Sequence, residues 1–265
     1  MGIDPRTGDD TATPLLDRFA LDGKVAIITG ASSGLGAGFA RALTSAGAQV
    51  LLAARRLDKL EALAEELAGE GRSVATVACD VADPNSCAAA VRAAIDAFGR
   101  VDILVNNAGV GTAVPALKET PEQFRGVVDV NLNGTYWMAK ECAAVMEPGS
   151  SIVNVASILG LTAGFAPQAA YTSTKTAVIG LTRDLAHQWG SRRGIRVNSL
   201  CPGYFRSEMT DEIPEPMMES ITGSTILGRL GRQHELDAAL LFLASDASSF
   251  VTASTLVVDG GMTGH

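Results

Sequence analysis

Seven short apolar runs rich in β-formers punctuate this chain, and nearly all are followed by a longer stretch of helical periodicity. The runs are Val25–Thr29, Gln49–Ala53, Ser73–Cys79, Asp102–Asn106, Ser151–Ala156, Ile195–Leu200 and Thr255–Val258. The helical patterns between them cover Leu35–Ala46, Leu57–Ala68, Asn85–Phe98, Pro121–Met146, Ala170–Trp189 and Glu235–Ala244. Strands apolar on both faces, alternating with helices, require a parallel sheet covered on both sides. Right-handed crossovers then give an α/β fold of the Rossmann type, a doubly wound parallel sheet of about seven strands whose ligand crevice lies at the carboxyl ends of the strands. No internal repeat and no Pro-, Gly- or Ser-rich linker interrupts the body. The expected organisation is therefore a flexible lead over residues 1–20 and a single domain over 21–265.

Composition narrows the function. Hydrophobic residues make up 47% of the 265, enough for a large core. The 21 basic and 29 acidic side chains leave a net charge of −8, which disfavours a phosphate backbone as partner, so no nucleic acid is expected. The longest wholly apolar run, Ala238–Ala244, is too short to span a bilayer, and the polar start MGIDPRTGDD is no secretory signal. Cys79, Cys87, Cys142 and Cys201 form no C-x-x-C pair, which fits reduced thiols and a cytoplasmic location. His187, His234 and His265 show no ligand spacing, and no metal is expected.

Directly after the first strand comes Thr29-Gly30-Ala31-Ser32-Ser33-Gly34-Leu35-Gly36. Glycines at this junction allow a tight turn and close approach of backbone to a pyrophosphate, with helix N–H groups and the helix dipole facing it. The spacing is G-x-x-x-G-x-G and no Gly-Lys-Ser/Thr follows, so a dinucleotide is expected here and not an NTPase phosphate. At the end of the second strand, Ala54 stands where an NAD-preferring site places an acid, and Arg55 follows. A guanidinium suits a 2′-phosphate, so NADP is favoured over NAD.

Farther along, Asn106-Asn107-Ala108-Gly109 closes the fourth strand, Asn131 lies in a helical pattern, Ser157 ends the fifth strand and Tyr171-Thr172-Ser173-Thr174-Lys175 opens a helix. Tyr171 and Lys175, four residues apart, share a helix face. An ammonium beside a phenol favours the phenolate and lowers the phenol's pKa toward neutrality. Ser157 is placed to hydrogen-bond a substrate oxygen in the crevice.

With TGASSGLG at 29–36, Asp80-Val81, NNAG at 106–109, Asn131, Ser157, Y-x-x-x-K at 171–175, Pro202-Gly203 and Val258-Asp259-Gly260-Gly261 all in order, the chain resembles the short-chain dehydrogenase/reductase family. It is similar to the single-domain branch that includes 3-oxoacyl-thioester reductases. The resemblance implies an NAD(P)-dependent interconversion of ketone and secondary alcohol. It makes Tyr171 the general acid/base, Lys175 the partner of the nicotinamide ribose, Ser157 the residue that orients the carbonyl, and Asn131 the holder of a relay water. Cofactor contacts implied are Gly30, Ser32, Ser33, Gly34, Leu35, Gly36, Arg55, Asp80 with Val81 at the adenine, Asn107, Ala108, Gly109, Tyr171, Lys175, Pro202 and Gly203. Ser207 stands where the family commonly has a Thr on the nicotinamide carboxamide, and Ser33 stands where NADP-preferring members often carry a basic residue.

Substrate choice is expected from a lid at about 204–230 and from the apolar stretch Ile158–Pro167, both suiting a medium-sized, fairly apolar substrate such as a 3-oxoacyl thioester. The alternatives are a sugar, steroid or alcohol dehydrogenase using NAD, a non-catalytic dinucleotide sensor, and an epimerase or dehydratase on the same scaffold. The helical patterns Pro121–Met146 and Ala170–Trp189 are apolar on more than one face, and a homotetramer or dimer is expected.

Overall fold

A computed structural model describes residues 13–206 and 215–264 of the chain. Its strands are β1 Val25–Thr29, β2 Gln49–Ala54, β3 Val74–Ala78, β4 Ile103–Asn106, β5 Ser151–Val155, β6 Arg196–Pro202 and β7 Thr255–Val258. All are parallel, in the order β3-β2-β1-β4-β5-β6-β7. The helices are α1 Gly34–Ser45, α2 Leu57–Gly69, α3 Pro84–Phe98, α4 Pro121–Val128, α5 Gly134–Val145, α6 Ala169–Arg193, α7 Glu215–Gly223 and α8 Gln233–Ala244.

The two-residue period of the strands builds two cores. Ala26, Ile28, Val50 and Leu52 face one side, where they meet Phe39 and Leu43 of α1, Leu60 of α2 and Leu240 of α8. Ile27, Leu51 and Leu104 face the other, against Val91 of α3, Met138 and Cys142 of α5 and Leu185 of α6. Every residue of β1 is buried, as expected for a central strand covered on both faces. The direction of strand addition reverses between β1 and β4, so the loops leaving these two strands diverge and open a crevice at their carboxyl ends.

Three features differ from the sequence expectation. The pattern Pro121–Met146 is not one regular helix: α4, started by a Thr120/Gln123 capping box, passes through a π turn at Asp129–Asn133 before α5 begins. Part of the expected lead is ordered, with Leu16–Phe19 forming a single 3-10 turn and the Leu21 amide donating to Ala46 O at 2.8 Å. Within 204–230, α7 forms a short helix anchored by the buried Ile221.

Candidate active site

A cavity of about 550 Å³ opens at the carboxyl ends of the strands and runs from the glycine loop to Tyr171 and Tyr204. Gly30, Ser32, Ser33, Gly34, Leu35, Gly36, Arg55, Asp80, Val81, Asn107, Ala108, Gly109, Ser157, Tyr171, Lys175, Pro202 and Gly203 all line it. Of the residues expected at the site, Asn131 is buried just behind the wall, and Ser207 lies outside the described residues.

The glycine loop is built by exclusion of side chains. Gly30 has φ +66°, and a Cβ there would sit 2.8 Å from Ala108 Cα. At Gly36 a Cβ would fall 2.3 Å from Gly30 O and 2.6 Å from Asn107 Nδ2, so the helix start packs onto its own loop at a distance that only glycine permits. Asn107 holds the loop from the other side: its Nδ2 donates to Thr29 O at 3.0 Å and Gly30 O at 3.3 Å, while Thr29 Oγ1 accepts from the amides of Asn107 and Ala108, both at 3.0 Å. β1 and β4, the strands at the reversal, are thereby locked together beneath the first turn of α1. Ser33, the residue preceding that helix, makes no side-chain cap, and the cradle of helix amides faces the cavity as a pyrophosphate site requires. The residues present fit a dinucleotide.

The guanidinium that touches this loop is that of Arg56, the neighbour of the Arg55 expected at the 2′-phosphate. Arg56, at the start of α2, donates through Nη2 to Ser32 Oγ at 2.9 Å and to Ser33 Oγ at 2.7 Å. Arg55 is exposed on the cavity rim and, among the described residues, has no hydrogen-bond partner. Adjacency in sequence hid this, because the turn from β2 into α2 points successive side chains in different directions. Asp80 also lines the rim, its Oδ1 accepting from the Ala82 amide at 3.1 Å.

At the other end, the π turn delivers Asn131. Its Oδ1 accepts from the Val110 amide at 2.8 Å, and its Nδ2 donates to Val110 O at 2.9 Å and Thr174 Oγ1 at 3.1 Å. The side chain thus clamps the loop after β4 to α6 just beside the Tyr171–Lys175 turn. Its main-chain carbonyl accepts from Thr135 Oγ1 at 2.7 Å. Single-turn π bulges recur at functional sites because they re-aim one side chain without ending a helix.

Ser157 starts a 3-10 turn at Ile158–Gly160, and its Oγ accepts from the Leu159 amide at 3.1 Å. Gly160 lets this turn approach α6, since a Cβ there would lie 2.8 Å from the Lys175 carbonyl carbon. Lys175 is buried, with Nζ donating to Val155 O at 2.8 Å and standing 5.5 Å from the centre of the Tyr171 ring.

The electrostatics depart from the expectation that the ammonium would lower the phenol. Burial raises the Tyr171 pKa above its ordinary value, and the neighbouring Ser157 hydroxyl opposes only part of that rise. Burial likewise lowers Lys175 to about 8. Burial decides both shifts, with the Lys175 ammonium donating to Val155 O and its nitrogen 5.5 Å from the centre of the ring. Tyr171 therefore rests as a neutral acid.

Similar proteins share this architecture. The sequence profile of a family described as Enoyl-(Acyl carrier protein) reductase matches residues 30–263. A D-threitol dehydrogenase of Mycolicibacterium smegmatis is 38% identical over 248 residues, covering 92% of this chain and 95% of the relative. A 3-oxoacyl-(acyl carrier protein) reductase of Thermotoga maritima is 34% identical over 244 residues, covering 91% of this chain and 98% of the relative. The chain belongs to the short-chain dehydrogenase/reductase family. Members of this family are NAD(P)-dependent oxidoreductases, and this chain is one of them. A gluconate 5-dehydrogenase from Burkholderia cenocepacia, solved in complex with NADP and tartrate, superposes with a TM-score of 0.89 at 35% identity, covering 95% of this chain and 100% of the other. No helix among the described residues is long and apolar enough to cross a membrane. The same residues contain no cluster of His, Cys, Asp or Glu that could hold a metal ion.

Proposed function

We propose that this short-chain dehydrogenase/reductase interconverts a ketone and a secondary alcohol with NADP(H), using Tyr171 as general acid and base. One observation carries the reading: a single cavity joins the glycine loop at one end to Ser157, Tyr171 and Lys175 at the other. A bound nicotinamide dinucleotide supplies or accepts the hydride. The chain supplies position and the proton. Ser157 and the Tyr171 hydroxyl hold the substrate oxygen between them, and Tyr171, protonated at neutral pH, donates to that oxygen as a carbonyl is reduced. In the oxidative direction the phenol must first lose its proton, so alcohol oxidation rises toward alkaline pH while ketone reduction does not need to. Lys175 would hold the nicotinamide ribose of a bound cofactor, and Asn131, which fixes the Val110 loop, would serve the relay of protons toward Lys175. A non-catalytic sensor would have no use for a half-buried phenol set beside Ser157 and Lys175 in the cavity.

For the cofactor, Arg56 on the glycine-loop serines and Arg55 on the rim favour a 2′-phosphate. Removing Arg56 as alanine is expected to weaken NADPH binding by roughly 10- to 100-fold and NADH binding by less than about 3-fold, read by fluorescence titration. Equal losses for both dinucleotides would overturn the preference. The same titration on Arg55→Ala ranks the two arginines, with Arg56 expected to matter more.

We infer further that residues 21–265 form one domain with a substrate lid at about 204–230. Phe205 is buried against the cavity and bridges to Gly231, which brings the end of that segment back beside the residues that follow β6. Assays of NADPH oxidation across ketones, 3-oxoacyl thioesters included, test the reaction class. The chain is proposed to assemble as a homotetramer or dimer through α4, α5 and α6, where Phe124, Tyr136 and Val145 stand exposed. Light scattering at micromolar concentration is expected to give a mass at least twice that of the chain, and a monomer would contradict the assembly.

A further inference from the structure

Of the four cysteines, Cys79 is the one that lines the cavity. It follows β3 directly, with Asp80 and Val81 forming the rim beside it. Cys79 is buried to all but 4%, and its open side belongs to the cavity wall. Behind it lies Cys87, on the first turn of α3 and wholly buried. The Cys79 thiol donates to Ser86 O at 3.9 Å and the Cys87 thiol to Val81 O at 3.4 Å. The two sulfurs stand within hydrogen-bonding reach of each other. Neither has a part in the transfer of hydride or proton.

A thiol is oxidised through its thiolate, so reactivity follows the sulfur that ionises first. Here that is Cys79: a hydrogen bond from Cys87, joined by one from Ser86, outweighs burial and holds it below the usual thiol range. The other three are pushed up, Cys87 chiefly by Cys79 itself, Cys142 and Cys201 by burial. A cavity-facing thiol that ionises readily, backed by a second sulfur within reach, is the arrangement of an oxidant-sensing pair.

We propose that Cys79 and Cys87 form a reversible disulfide in the cofactor-free enzyme exposed to peroxide, and that this bridge shuts off dinucleotide binding. The inference rests on the dinucleotide reading of the cavity and supplies its regulation. The Cys79 thiolate attacks one peroxide oxygen, the O–O bond breaks, and a sulfenic acid forms as hydroxide leaves. The Cys87 sulfur then displaces hydroxide from that sulfenic acid and the S–S bond closes. Two thiols are oxidised, one peroxide is reduced, and the two hydroxides take up the two thiol protons as water. Joining the sulfurs draws the end of β3 onto the first turn of α3, because an S–S bond is shorter than a contact between thiols. The turn between them cannot follow freely. Val81 is wedged against the start of α5, where a Cβ on Gly134 would fall 2.7 Å from its Cγ2, and the Asp80 amide donates to Ser86 Oγ at 3.0 Å. The displacement therefore falls on Asp80 and Val81 at the cavity rim. A dinucleotide lying over that rim covers Cys79, so binding and oxidation oppose each other.

The test uses the full chain, reduced, freed of reductant and treated with hydrogen peroxide. Non-reducing digestion and mass spectrometry are expected to find peptides joined through Cys79 and Cys87. Fluorescence titration is expected to find NADPH affinity lowered by roughly tenfold or more and restored by dithiothreitol. Saturating NADPH during the treatment is expected to slow formation of the bridge by about tenfold or more. Cys87→Ala is expected to bind NADPH within about 3-fold of wild type when reduced and, after peroxide, to hold Cys79 as a sulfenic acid that dimedone captures. Wild-type enzyme without joined peptides, a bridge that leaves NADPH affinity within about 3-fold, or one that forms as fast with NADPH present would each overturn the inference and leave the dinucleotide reading standing. A reduced enzyme that binds neither NADPH nor NADH would remove both.

Discussion

Replacing Tyr171 with phenylalanine is expected to lower turnover by about 10³-fold or more while NADPH binding stays within about 3-fold of wild type. The substitution keeps the ring that lies beside Gly111 and beneath the Lys175 ammonium, and removes only the hydroxyl. The loss should fall on kcat, because the missing group contributes its proton in the transition state and little to the ground-state complex. Steady-state rates with a productive ketone, together with a fluorescence titration of NADPH, separate the two quantities. A variant within tenfold of wild type would mean that the proton comes from elsewhere, and the acid/base assignment would fall.

Lys175→Met is expected to abolish useful activity and at the same time stabilise the cofactor-free protein at pH 7 by about 1–3 kcal/mol. The reason is the burial that lowers Lys175 from its ordinary 10.5 to about 8. At pH 7 the folded protein holds a cation in a site that disfavours it, whereas the unfolded chain bears the same charge in water without penalty. Between about pH 8 and 10.5 the unfolded chain binds a proton that the folded one has released, so wild-type stability rises with pH across that window. The advantage of the methionine variant should therefore stay nearly level from pH 7 to about pH 8 and shrink above it toward pH 9.5 in urea unfolding. Methionine forfeits the bond to Val155 O, which is why the expected gain is smaller than the full cost of the buried charge. A variant that is less stable at pH 7, or whose advantage does not change with pH, would show that this lysine is not strained by its surroundings.

Much of this architecture can be read from residue order. β1 and β7 have the bounds their apolar runs predict, because alternation of buried faces leaves a strand little freedom in register. The residues expected along the cavity come together because each lies at the carboxyl end of a strand or at the start of the following helix, and the topology brings all those ends to one edge. What sequence pattern could not reveal depends on distance and dielectric. Arg55 and Arg56 are equivalent on paper, and only the path from β2 into α2 decides which one meets Ser32 and Ser33. The spacing of Tyr171 and Lys175 correctly places them on one face, but it carries no information on how far each is withdrawn from water, and burial reversed the expected direction of the phenol's shift. Helix α7 carries no apolar stripe that repeats at helical spacing, and Ile221 is its single buried anchor.

The turn at Asp129–Asn133 amounts to one residue more than a regular helix would contain between Thr120 and Val145. That surplus residue is absorbed on the spot. The five residues of the wider turn sweep about the same angle as four in a regular helix, so the segment beyond keeps its phase and Met138 and Cys142 stay in the core. Deleting one residue here would restore a regular helix and leave those two side chains in place, but would turn Asn131 away from Val110. The core is indifferent to the insertion, and the grip on the Val110 loop depends on it.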